Sequence, residues 1–188
     1  MAATPPLAAA LVGVWRQAGH KRWFAAAPAF DAELRDRFGA AATTAAAGGL
    51  ADWSATAQGA LAQVLLLDQL PRNLHRGSAL AFAADPLARA AADAAILRGF
   101  DRETEPELRP FLYMPLEHAE DPIHQARSVA LFSRYAQAGL DRRAWMRFAL
   151  VHQEVIRRFG RFPHRNAALG RTPTPEETRF LAEGGFAG

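Results

Sequence analysis

Between Leu7 and Gly188 the apolar residues recur at helical spacing and almost nowhere alternate with polar ones, and Gly or Pro signals cut the chain into runs of about 10 to 18 residues. A chain punctuated in this way has no strands with which to build a sheet. The expected class is all-α, with stacked antiparallel helix pairs and residues 1–188 forming a single helical domain.

The second segment carries the pattern plainly. Phe30, Leu34 and Phe38 fall at i, i+4 and i+8, while Asp31 with Arg35 and Glu33 with Arg37 form i,i+4 pairs on the other side, and Gly39 follows. From Gln58 to Leu70 the sequence leaves little polar face, so this run is expected to be the central buried helix. Asp85-Pro86, Asp121-Pro122 and Thr174-Pro175 each place a capping residue before a Pro suited to the first helical turn. Thr174 with Glu177 also fits a capping box. Gly99 and Gly139 are expected to close two of these helices in the left-handed conformation. The two Asp-Pro starts lie 36 residues apart, near the period of helix-pair repeats. Glu105 to Glu120 contains Pro106, Pro110 and Pro115 and is expected to be kinked and irregular.

Composition removes several functions. With no Cys among 188 residues there is no thiolate nucleophile, no disulfide framework and no Cys-ligated metal. The net charge of +3 comes from 22 cations against 19 acids, a weak excess that argues little for nucleic acid. Met1 to Trp15 lacks a basic residue ahead of its apolar run, and Gly13 interrupts it, so it fails as a signal peptide; no stretch reaches the roughly 20 apolar residues of a membrane span. A cytoplasmic location is the expectation.

Polar residues concentrate in two turn-like motifs with an Arg-Asn step soon after Pro: Asp68-Gln69-Leu70-Pro71-Arg72-Asn73 and Pro163-His164-Arg165-Asn166. The second lies in residues 159–171, where Arg161, Arg165 and Arg171 sit among Gly160, Pro163 and Gly170, and no acid falls between Glu154 and Glu176. Fixed positive charge in a turn suits bidentate recognition of phosphate or carboxylate. The expected ligand-binding residues are therefore Arg72, Asn73, Arg161, His164, Arg165 and Asn166, with His118 and Asp68 available for proton transfer. Equally open is a bracing role, with Asn73 and Asn166 as left-handed caps and the Arg side chains tying down carbonyls and Asp68.

Glu117, His118, Glu120, Asp121 and His124 could hold a metal or supply an acid and a base, but Asp121 is claimed as a cap and no second Glu-x-x-His helix exists, so no metal and no cofactor is expected. His152 lies on the apolar stripe of Arg143 to Phe159, made by Trp145, Phe148, Ala149, Ile156 and Phe159, where a satisfied core residue is expected; Glu154 and Arg158 pair opposite. No phosphate loop, dinucleotide turn or nucleophile elbow is present. The Arg loop also lacks the aromatic interleaving of a single-strand nucleic-acid binder.

Three ordered stretches, Leu65 to Asn73, Phe111 to His118 with Glu120-Asp121, and Arg158 to Asn166 with Leu169-Gly-Arg171, resemble the bacterial family called domain of unknown function 924, over about Trp23 to Phe186. The resemblance implies an α-α superhelix of the tetratricopeptide-like kind, in keeping with the helix pairs above, and no assigned chemistry. This chain departs from the family pattern at Ala119, where the family tends to have Ser, and around Val14 to Arg16, where only Trp15 is aromatic. Two functions of different class follow: binding of a small anionic ligand, or a helical scaffold that docks a partner peptide in its groove.

Overall fold

The computed structural model describes residues 3–137 and 143–188, and every regular element among them is helical. No helix of the described residues is long and apolar enough to cross a membrane. The expected closure at Gly139 lies outside the described residues. The chain divides into two compact units, Met1–Arg76 with Leu80–Pro115, and Gly77–Ala79 with Leu116–Gly188.

In the first unit, α1 (Pro6–Trp23) and α2 (Pro28–Ala46) each begin on Pro, whose missing donor costs nothing in a first turn. The α2 stripe is as expected: Phe30, Leu34 and Phe38 are buried, and Ala41 and Ala45 extend it past Gly39, which therefore does not end the helix. Gly39 is tolerated because tertiary burial of the stripe outweighs the roughly 1 kcal/mol that Gly costs relative to Ala. A short 3₁₀ turn, Ala51–Ala55, buries Trp53. The central apolar run forms α3 (Ala57–Val64), a π-helical turn (Leu65–Gln69) and α4 (Leu70–Leu74) without a break. Leu61, Val64, Leu65, Leu66, Leu67 and Leu70 are all buried.

This run corrects the expected turn at Pro71. Pro cannot donate to the carbonyl four residues back, and a helix normally ends there. Here Leu70 N–H bonds to the carbonyl of Leu65, five residues back, and the widened turn absorbs the Pro while the helix continues. Asn73 is accordingly helical and buried rather than a left-handed cap. Asp85 is corrected as well. It opens α5 (Asp85–Leu97) from inside, behind a non-capping Ala84, and its carboxylate is used elsewhere. Gly99, at φ 77°, closes α5 as expected and leads into α6 (Phe100–Glu103). The Pro-rich stretch is more regular than expected: α7 (Pro110–Glu117) starts on one Pro and carries Pro115 within it.

In the second unit α8 (Pro122–Gln137) packs against α9 (Arg143–Phe159), and α10 (Pro175–Ala182) follows the basic loop. Asp121 caps α8 by accepting from the N–H groups of Ile123 and His124, both at 2.9 Å, and the Thr174–Glu177 capping box is complete. Along α9 the buried face is Ala149, His152, Val155 and Ile156; Phe148, expected in that stripe, is 43% exposed. Val155 and Ile156 instead pack on Phe162, with Phe159, Phe180 and Phe186 at the edge. Glu154 pairs with Arg157, one residue short of the expected Arg158, which reaches Glu176 on α10.

Candidate functional site

In the first unit the π turn sets Asp68, fully buried, one helical turn before Arg72. A carboxylate there opposes the helix dipole and requires compensation. Arg72 supplies it, with Nη1 3.1 Å from Asp68 Oδ1 and donating to the Asp68 carbonyl at 2.7 Å; Gln69 Nε2 donates to Asp68 Oδ2 at 2.5 Å. The same guanidinium forks onto Asp85, at 2.9 and 3.1 Å, which is why that carboxylate does not cap its helix. Asn73 donates to Asp31 at 2.8 Å, and Arg76 joins it at 3.1 Å, so Asp31 pairs with residues distant in sequence and not with Arg35. In this cluster two guanidiniums meet three carboxylates. Asp68, Arg72 and Asn73 thus brace α2, α4 and α5, and the positive charge is neutralised where it stands.

The second unit's basic loop begins where Gly160, at φ 68°, ends α9. Residues Pro163–Arg165 make one 3₁₀ turn, and Asn166 continues it in right-handed geometry at φ −57°, so the expected left-handed cap is absent there. Phe162, Pro163, Arg165 and Asn166 are buried. Arg161 forks onto Glu177 at 2.6 and 2.8 Å and donates to the Thr172 carbonyl at 3.0 Å. Asn166 Nδ2, at 3.1 Å, and the Thr174 N–H, at 2.7 Å, donate to the same carboxylate. Arg161 first, then these donors, pull the Glu177 carboxyl down to about 2, so it stays ionised. Sequence reasoning had given Glu177 only to the capping box. The acidic residue falling after the loop was the available signal that it could reach back to Arg161.

Arg171 forks onto Glu120 at 2.7 and 3.0 Å and reaches the Phe162 carbonyl at 3.1 Å, while Phe162 N–H donates to Glu120 at 2.7 Å. Burial works to raise the Glu120 carboxyl, but Arg171, the Phe162 N–H and the charge of Arg165 outweigh it and hold it below its ordinary range. The Arg165 guanidinium lies 4.5 Å from the Phe162 ring centroid. His164 packs beside it, 5.5 Å from Phe162 and 5.4 Å from Phe186. Burial, then the neighbouring Arg165 and His152, push its imidazole down to about 4, so it is neutral at pH 7. Its buried Nδ1, the Asn166 Oδ1 and the Arg171 Nε have no hydrogen-bond partner among the described residues.

Against the same aromatic group stands a third set of residues. His152, on α9, has Nδ1 2.8 Å from Glu117 Oε1 and 2.8 Å from the Phe148 carbonyl. Its ring lies 4.4 Å from Phe186, 5.5 Å from Phe162 and 6.2 Å from His118. Gln125, fully buried on α8, fixes the turn after Glu117 by donating to the carbonyls of Glu117 and Ala119 at 2.6 and 2.7 Å. His118 therefore has imidazole company, whereas His124 is occupied with its own cap, 2.8 Å from Asp121. Among the described residues no group of three His, Asp or Glu has the geometry to hold a metal ion. Asp68 and His118, the expected proton-transfer pair, belong to different units; the acidic partner beside the histidines within the second unit is Glu117.

The model of a family described as bacterial protein of unknown function, DUF924, matches residues 11–185. A solved structure of a protein of unknown function from Agrobacterium tumefaciens is similar to this chain at 45% sequence identity, with a TM-score of 0.88, covering 94% of this chain and 97% of that one. No curated protein matches.

Proposed function

This chain belongs to the domain of unknown function 924 family, and from the site itself we propose that the second unit binds a small anion, phosphate or carboxylate, at its basic loop. One observation carries the reading. The loop sets three guanidiniums, Arg161, Arg165 and Arg171, against the two carboxylates Glu120 and Glu177 that they address, and Glu120 answers to both Arg171 and Arg165. Three guanidiniums on one turn concentrate fixed, charge-assisted donors of the kind that suit the oxygens of a phosphate or carboxylate. Arg171 Nε and His164 Nδ1 add buried polar atoms with no hydrogen-bond partner among the described residues. Arg165 and the neutral His164 are the ligand contacts in this reading, with Asn166 orienting through Glu177. Arg161 holds the loop to α10, and Arg72 with Asn73 serve the first unit as braces.

A thermal-shift titration with phosphate and sulfate tests the reading. Saturable stabilisation is expected, rising by about RT ln(1 + [L]/Kd) with anion concentration, and lost in Arg165→Gln while Arg157→Gln retains it. Equal stabilisation by chloride at matched ionic strength, or a full phosphate response in Arg165→Gln, overturns it.

A further inference from the structure

We propose that Glu117 and His152 form a carboxylate–imidazole dyad whose Nε2 acts as general base toward a small ester, a role distinct from anion binding. The argument begins with the single N–H that Nδ1 can carry. Both atoms at 2.8 Å from Nδ1, the Phe148 carbonyl oxygen and Glu117 Oε1, are acceptors when Glu117 is ionised. The proton therefore resides on Nδ1, and the lone pair is on Nε2. Neither of those contacts uses Nε2, and the residue keeps 9% of its surface exposed.

A carboxylate that fixes an imidazole tautomer and stabilises the imidazolium formed on proton uptake is the arrangement general-base catalysis requires. Glu117 is itself immobilised, 5% exposed, on a turn that Gln125 clamps through two carbonyls. A simple core histidine needs neither the carboxylate nor the clamp. Phe162 gives the dyad its setting: its ring lies 5.5 Å from His152 and 4.5 Å from the Arg165 guanidinium, so base and cation share one wall. The substrate class that fits is a small ester bearing a carboxylate or phosphate, and only that anionic end rests on the binding site proposed above. In the step, Nε2 takes a proton from water as the water oxygen bonds to the ester carbonyl carbon. The intermediate then breaks its C–O bond, and the imidazolium returns the proton to the departing alcohol, giving acid and alcohol. Among the described residues, His118, His164, Glu120 and Arg165 are charged or titratable groups near the dyad.

The test uses p-nitrophenyl acetate, a neutral probe that needs no anion seat, with the full chain and the variants His152→Gln, Glu117→Gln and His75→Gln. The protein-dependent rate is expected to fall about a hundredfold in His152→Gln and to lose its pH dependence, with Glu117→Gln lowered and His75→Gln unchanged. A rate in folded His152→Gln equal to the parent's overturns the dyad. Should that variant fail to fold, ¹⁵N NMR of the parent decides: a proton on Nδ1 supports the proposal and a proton on Nε2 defeats it. A His152-dependent rate without a phosphate thermal shift would sink the anion site alone, and the reverse pattern would sink the dyad alone.

Discussion

The two units treat buried arginine in opposite ways. In the first, Arg72 sits between Asp68 and Asp85 and Arg76 lies on Asp31, so carboxylates outnumber the guanidiniums they hold. In the second, three guanidiniums of one loop share Glu120 and Glu177. Among the described residues, buried side-chain atoms without a hydrogen-bond partner include His164 Nδ1, Asn166 Oδ1, Arg171 Nε, Gln125 Oε1 and Ser128 Oγ in the second unit, against Trp15 Nε1 and Arg109 Nε in the first. Because buried polar groups in folded proteins are nearly always satisfied, that difference is one ground for proposing the anion site in the second unit. Similar motifs, Pro followed by Arg-Asn, therefore serve as a brace in one place and as a candidate site in the other.

That contrast can be broken at its strongest point first. Asp68→Ala should destabilise the first unit by about 3–5 kcal/mol, because it breaks a buried ion pair with Arg72 and takes the carboxylate acceptor from Gln69, with urea denaturation as the measurement. A loss under 1 kcal/mol would mean that Asp68 is not the brace described. Next, Arg165→Gln should cost less stability than Asp68→Ala, about 1–3 kcal/mol, while abolishing the phosphate-dependent shift. Equal costs in stability would erase the distinction between the two clusters.

Acid sharpens the comparison further. The folded His164 imidazole lies at about 4 against an ordinary 6.5, so the unfolded chain binds the extra proton in between; stability is full above pH 6.5 and falls as pH drops toward 4. His164→Gln should flatten that part of a pH–stability curve. Glu177, at about 2 against 4.5, contributes stability that is present above pH 4.5 and lost as pH falls through 2, and Glu177→Gln should remove that limb. The smallest effect is expected at the surface. Arg157→Ala breaks an exposed, solvent-screened pair with Glu154 and should leave a denaturation curve unchanged within its error.

The amino-acid sequence by itself determined the helical class, the α2 stripe of Phe30, Leu34 and Phe38, the caps at Asp121 and Thr174 and the left-handed stop at Gly99. Each of these depends on spacing within a turn or two, which a linear pattern records. It also marked the Arg-rich loop and the histidines as the polar anomalies. Tertiary structure alone decided that Pro71 lies within a helix, since a π turn supported by buried leucines on both sides accommodates the lost donor. It likewise decided that Asp85 serves Arg72 rather than a helix end, and that Glu177 and Glu120 answer Arg161 and Arg171. Ion pairing joins residues far apart in sequence, so no local period encodes it. Which carboxylate answers which arginine was settled by where the two met in the folded chain.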